Sequence, residues 1–186
     1  MNINQLLMAQ HREAERLFEK LEEAQPEQRD ELATTLAQKL ELHMELEEEI
    51  VYPAICELIE DSDHDVAEAK AEHALARQGI AQLLALDGET PGFDGLVAML
   101  KAGVLHHVEE EEGEVFPKLR SSASEDQLQE LGSQCEQMIV AAGEQPPSID
   151  PDASTRQELY EEAKRQGIEG RSDMTKDELA AALEGQ

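Results

Sequence analysis

The sequence has few aromatic residues and no tryptophan. Aromatic side chains make up 3% of its 186 residues, whereas Ala, Leu, Glu and Gln are abundant. Straight-chain residues lose little rotamer freedom in a helix, so this composition favours helix over sheet. We therefore expect an all-α protein, of a length that suits one domain of ordinary size with a small appendage.

Basic residues, cysteine motifs and long apolar runs are also scarce. Lys and Arg number 15 against 43 Asp and Glu, for a formal net charge of −28. This balance argues against a nucleic-acid or anionic-membrane surface, since both need a basic face. No apolar stretch approaches the roughly 20 residues of a membrane span, and the first residues lack the pattern of a signal peptide. The two cysteines have no CxxC spacing, which favours thiols in a reducing compartment. We expect a cytoplasmic protein.

Helical apolar periodicity extends over most of the chain. Four long segments repeat apolar residues at spacings of three and four, separated by breakers such as QPEQ, EDSDHD and LDGETPG. Short connections between long helices predict antiparallel neighbours, and hence an up-down four-helix bundle. The second helix should be bent near Pro53, and a shorter helix from about Ser124 to Ala142 should cover the bundle.

A smaller unit follows the bundle. The stretch GEQPPSIDPDAS combines helix breakers with polar residues and is typical of a linker. Beyond it, the pattern predicts a helix, a short extended turn and a second helix, with Thr175 and Glu178 in a capping-box spacing. We divide the chain into a bundle at 1–142, a linker at 143–154 and a helical module at 155–186.

One phrase occurs twice. Residues 42–53 read LHMELEEEIVYP and residues 106–117 read HHVEEEEGEVFP. In each, a Glu follows a His at i+4 and a Pro follows that Glu at i+6. The two copies predict two helical hairpins of similar design, related by a pseudo-twofold axis.

Six polar residues fall where the apolar spacing turns side chains toward the bundle axis. They are His11, His43, Glu47, His73, His107 and Glu111. A His and a Glu at i and i+4 share one helix face, so both can reach one centre. Buried carboxylates without partners cost several kcal/mol each, whereas imidazole and carboxylate together suit iron, zinc or manganese. The pattern therefore predicts a metal centre; the alternative is an acidic helical bundle without metal.

Some neighbours of these residues allow more than one interpretation. Aligned on the prolines, His107 matches His43, which leaves the adjacent His106 as a flanking residue or a supporting partner. Tyr52 and Phe116 precede the two prolines equivalently and are interpreted as packing residues at a shared bend. A role for Tyr52 at the metal is the alternative.

The six residues resemble the pattern of the hemerythrin-like family, the HHE cation-binding domains, which is H…HxxxE…H…HxxxE over four helices. The match covers roughly the first 120 to 142 residues. The resemblance implies a non-heme centre of two iron ions with oxo or hydroxo and carboxylate bridges. The histidines of the first hairpin would bind one iron, those of the second hairpin the other, and the two glutamates would bridge. It also implies a small ligand such as dioxygen, peroxide or nitric oxide.

The chain departs from the oxygen-carrying members of that family in its third and fourth helices. These have a second histidine one turn after the third-helix histidine, where this chain has Arg77, and their fourth-helix carboxylate is spaced one residue further on. Losing a ligand opens coordination sites, which favours a reaction over reversible storage. Arg77 is either solvated or hydrogen-bonded to a bound anion or bridging carboxylate. A non-enzymatic iron or oxygen sensor is the alternative function.

The last segment resembles the small SAP-like or Rho N-terminal-type module. Such modules often contact nucleic acid, but residues 155–186 carry five basic and eight acidic side chains, a net charge of −3. We therefore expect this module to bind a protein partner rather than nucleic acid.

Overall fold

The computed structural model of the chain describes residues 1–147, 156–165 and 167–184. Within these ranges every regular element is helical. The α-helices are α1 (Ile3–Glu23), α2 (Pro26–Leu46), α3 (Tyr52–Leu58), α4 (Asp63–Leu84), α5 (Phe93–Glu110), α6 (Phe116–Ser122), α7 (Glu125–Ala141), α8 (Arg156–Arg165) and α9 (Lys176–Glu184). The prediction of an all-α protein is confirmed.

Two π-helical turns interrupt the long helices that carry the repeated phrase. Glu47–Val51 joins α2 to α3, and Glu111–Val115 joins α5 to α6. Each turn ends two residues before a proline, whose ring would clash with the carbonyl four residues earlier in a regular α-helix. The wider turn relieves this clash. The disturbance expected near Pro53 therefore begins earlier, at Glu47.

The long helical segments form a closed ring of four rods, which are α1, α2 with α3, α4, and α5 with α6. The α1 helix contacts α2 and α5, and α4 contacts the same two neighbours. The connections between rods are short, at residues 24–25, 59–62 and 85–92. A further helix, α7, packs against α1 and α2, and Ser124 caps its first turn by accepting a hydrogen bond from the Gln127 amide. This confirms the up-down four-helix bundle with a cover helix.

The apolar core is divided into two clusters. One contains Leu7 and Phe116, and the other contains Ala14 and Phe18. On α1, His11 lies between Leu7 and Ala14, and it is 2% exposed. A polar layer is therefore enclosed between two apolar regions of the bundle.

The small helices after the bundle pack against each other. Leu159 and Ala163 of α8 and Leu179 of α9 form a buried cluster. The predicted capping box is present, because the Glu178 carboxylate accepts a hydrogen bond from the Thr175 amide at 2.8 Å. Most of the predicted linker, at 148–154, lies outside the described residues. Among the residues that are described, no helix is both long enough and apolar enough to span a membrane.

Candidate metal centre

Each of the four rods contributes one buried histidine to the polar layer. The histidines form two pairs, one per hairpin. The ring centroids of His11 and His43 are 4.9 Å apart with an interplanar angle of 72°. Those of His73 and His107 are 4.8 Å apart at 62°. The two pairs have nearly the same geometry, as the internal repeat predicts.

The two carboxylates lie between these pairs. Glu47 places Oε1 at 3.3 Å from Nε2 of His43 and Oε2 at 3.2 Å from Nε2 of His73. Glu111 places Oε2 at 3.3 Å from Nε2 of His11 and Oε1 at 3.5 Å from Nε2 of His107. Each carboxylate therefore presents one oxygen to each pair. This arrangement suits a carboxylate that bridges two cations.

In each of the four buried histidines, Nδ1, the ring nitrogen that points away from the centre, has a polar partner. The Nδ1 contacts are those of His11 with Glu112 (2.9 Å), His43 with Gln10 (3.0 Å), His73 with Glu48 (2.9 Å) and His107 with Glu72 (2.8 Å). Because each partner offers an oxygen acceptor, these contacts place the ring proton on Nδ1. When the ring is neutral, the lone pair of each Nε2 then faces the centre, as a metal ligand requires.

Four buried atoms at the centre have no hydrogen-bond partner. They are Nε2 of His11, Nε2 of His43, Oε1 of Glu47 and Oε2 of Glu111. These atoms lie close to one another, but none of the pairs has the geometry of a hydrogen bond. A buried polar atom left unpaired costs about 1–3 kcal/mol. Cations at these points would satisfy all four atoms. The donor set therefore fits bound metal.

The ligand atoms fall into two groups, in each of which they lie within 4.8 Å of one another. The first group contains His11, His43, Glu47 and Glu111, and the second contains Glu47, His73 and His107. Glu47 belongs to both groups. The layer can therefore hold two neighbouring cations that share a carboxylate.

The charges within the layer shift the pKa values of its members. Burial lowers the pKa of His43 to about 3. Burial also opposes protonation of His11, but contact with Glu111 and Glu112 outweighs it and raises the pKa of this imidazole to about 9. Burial and the nearby charge of Glu47 raise the pKa of Glu111. The carboxylates thus hold protons on some imidazoles, so a metal ion would compete with protons for these nitrogens.

The structure adds Tyr52 to the centre. Its hydroxyl oxygen lies 3.4 Å from Oε2 of Glu47, 3.2 Å from Nε2 of His73 and 3.4 Å from Oε1 of Glu111. The interpretation of Tyr52 as a packing residue alone is therefore wrong. Its position follows from the π-turn, in which the Tyr52 amide bonds to the Glu47 carbonyl five residues earlier. The Pro that follows Tyr52 is the sequence signal for this wider turn.

The equivalent residue of the second copy is Phe116, which stacks on His11 with ring centroids 5.8 Å apart and an interplanar angle of 9°. Tyr52 stacks on His73 in the same way, at 5.5 Å and 28°. At this stacked position the two halves of the centre therefore differ by one hydroxyl group.

Of the two adjacent histidines, only His107 points into the layer. The side chain of His106 is 62% exposed and lies 3.5 Å from Glu110 and 3.7 Å from Glu72. Since Glu72 also contacts His107, His106 belongs to the surroundings of the centre.

Arg77 pairs with two carboxylates outside the six candidate ligands. Its guanidinium donates to Glu41 at 3.1 Å and to Glu48 at 2.7 Å. Glu48 in turn contacts Nδ1 of His73. Arg77 is partly solvated, with its side chain 33% exposed, and it supports Glu48, a carboxylate that orients a histidine, rather than Glu47 or Glu111.

The bundle and its enclosed layer of histidines and carboxylates define a cation-binding helical protein. The profile of the Hemerythrin HHE cation binding domain matches residues 2–119, and the chain belongs to this family. A hemerythrin HHE cation binding domain-containing protein from Mycobacterium kansasii has the same fold, with a TM-score of 0.65 and 24% identity, over 76% of this chain and 90% of that one.

A second relative is known as an enzyme that acts on DNA. The chain is 26% identical over 135 residues to a DNA nickase from Nostoc sp., a match that covers 72% of this chain. It spans 38% of the length of that relative.

Proposed function

We propose that the bundle holds two iron ions and that this centre binds or reacts with dioxygen, peroxide or nitric oxide. The residues that would hold the ions are His11, His43, Glu47, His73, His107 and Glu111, and the two glutamates would be shared between them. The observation that carries the proposal is the placement of one oxygen of each carboxylate beside each histidine pair. Mixed imidazole and carboxylate donors suit iron.

Iron in such a site supplies the redox chemistry that these small ligands require. The chain's own residues hold and orient the centre through the outer Nδ1 contacts. Burial, reinforced by the charges of Glu47 and Glu111, raises the pKa of Tyr52. Its hydroxyl therefore keeps a proton beside both carboxylates. In the other half of the centre, the apolar ring of Phe116 stacks on His11.

A second candidate function is a sensor of iron or oxygen that is not an enzyme. It is favoured by the small unit after the bundle, in which α8 and α9 share their own buried cluster. In this proposal residues 155–186 form a separate module that binds a protein partner. The net charge of −28 opposes contact with a phosphate backbone, which argues against a DNA nickase activity like that of the Nostoc relative.

The test is elemental analysis after reconstitution with iron. The wild-type chain should bind about two iron ions, the number that a bridged His and carboxylate site holds. Glu47→Ala should lose iron and peroxide turnover. His64→Ala is the matched control, since the side chain of His64 is 85% exposed. Peroxide turnover that is unchanged in Glu47→Ala would contradict the reactive function, and one ion per chain would contradict the bridged centre.

A further inference from the structure

A cavity of about 450 Å³ adjoins the histidine layer. Its walls come from α1, α2, α4 and α5. Along α4 it extends from His73 to Gln82, and along α5 from His107 to Leu96. At a rise of 1.5 Å per residue, these segments correspond to a length of roughly 14–16 Å. The cavity is therefore elongated, with the histidines at one end.

The cavity is larger than the proposed small ligands need. One water molecule takes roughly 30 Å³ of the liquid, and pockets for organic ligands hold roughly 300–1,000 Å³. A volume of about 450 Å³ lies in the second range. Dioxygen, peroxide or nitric oxide would leave most of it unfilled.

The walls away from the histidines are largely apolar. They include Leu40, Met44, Ala76, Leu100 and Val104. Leu75 and Met99 also line it and are each 66% exposed; they are two of the four large apolar side chains exposed in the described part of the chain. Exposed apolar side chains beside an apolar cavity are typical of the entrance to a ligand site.

The charged groups on the walls already have partners. Lys39 lies 3.3 Å from Glu13 and 3.0 Å from Glu144. Glu72 contacts Nδ1 of His107 at 2.8 Å. Neither an anionic nor a cationic ligand would find an unpaired opposite charge among these groups.

We propose that this cavity binds an uncharged, elongated apolar organic molecule. Binding depends on the walls of the cavity. Any reaction of this molecule at the metal centre would depend on the proposed function. The bundle would then bind an organic molecule in the cavity as well as a small ligand at the centre.

The experiment is calorimetric titration of the iron-loaded full chain with 1-alkanols from hexanol to dodecanol. Each added methylene should strengthen binding about three- to fourfold until the cavity is filled. Beyond that length the affinity should stop rising. Absence of saturable binding for every alkanol would overturn the proposal.

Two glycines of α5 give a matched pair of variants. Gly103 lines the cavity and Gly95 does not, and a Cβ added at either position meets nothing within 4 Å. Both substitutions by Leu favour the helix. Gly103→Leu should weaken the tightest alkanol at least about tenfold, the effect of roughly two lost methylene contacts, whereas Gly95→Leu should not.

The Leu side chain of Gly103→Leu would leave the cavity unchanged if it turned toward solvent. A second cavity variant, Val104→Trp, covers that case, because Val104 also lines the cavity. It should also weaken alkanol binding, and wild-type affinity in both cavity variants would contradict the inference. The titration reads binding and not turnover, so the two proposals can fail separately. Alkanol binding without iron chemistry would refute only the proposed function, and iron chemistry without alkanol binding would refute only this inference.

Discussion

Each histidine of the centre uses its two ring nitrogens differently. Nε2 faces the layer, while Nδ1 contacts a carboxylate or amide oxygen from a neighbouring part of the bundle. Such outer partners fix the ring orientation and raise the basicity of the inner nitrogen. The single residues that determine metal affinity therefore include side chains that do not reach the metal.

Glu48→Gln tests this role. Glu48 contacts Nδ1 of His73 and receives a hydrogen bond from Arg77. Loss of its charge should lower the metal affinity about 10- to 100-fold, measured as iron retained in competition with a chelator. Glu49→Gln is the control, because Glu49 is exposed and lies in the same turn. Equal iron retention in the two variants would show that Glu48 does not support the centre.

Tyr52→Phe places a Phe ring against a histidine in both halves of the centre. The ring remains, so the fold should persist, but the contacts with Glu47, His73 and Glu111 are lost. The free energy of unfolding should fall by about 1 kcal/mol. Iron content should stay the same while peroxide turnover falls. Tyr160→Phe, at the other tyrosine of the chain, should change neither quantity. Iron loss in Tyr52→Phe would instead identify the phenol as a ligand.

At the scale of the helices, the sequence predicted the four rods and the inward residues because both follow from periodicity within one helix. It did not predict the outer partners. Glu48 and Glu112 stand one residue after the inward glutamates in both copies of the phrase, but each contacts a histidine of another rod. Helix periodicity cannot reveal which rod lies opposite. The recurrence of Glu at this position is the signal that could have indicated them.

The cover helix α7 gives an element-scale prediction. A Cβ at Gly132 would overlap the carbonyl oxygen of Met1, so this glycine allows α7 to approach the start of the chain. Gly132→Ala should lower the free energy of unfolding by about 1–3 kcal/mol, measured by chemical denaturation. Gly95→Ala, in a helix with open space around it, should instead gain about 0.5–1 kcal/mol. A gain in both variants would mean that α7 moves away without cost.

At the scale of the whole molecule, the acidic charge and the metal centre act together. A net charge of −28 produces self-repulsion in the compact state and attracts cations. Two of the negative charges, Glu47 and Glu111, are buried in the bundle, at 0% and 2% exposure. Metal that binds only when the four rods assemble stabilises the folded chain by mass action.

Removal of iron with a chelator should therefore lower the thermal stability of the bundle. At a free metal concentration of 100 times Kd, the lost stabilisation is about 2.7 kcal/mol per site, which is measurable as a fall in Tm. A chain that ends at residue 147 should show the same fall, because the six proposed ligands lie between residues 11 and 111. In the sensor function, removing iron from the full chain should also change proteolysis within the predicted linker at 143–154. Identical digestion with and without iron would leave the bundle as the functional unit and count against the sensor.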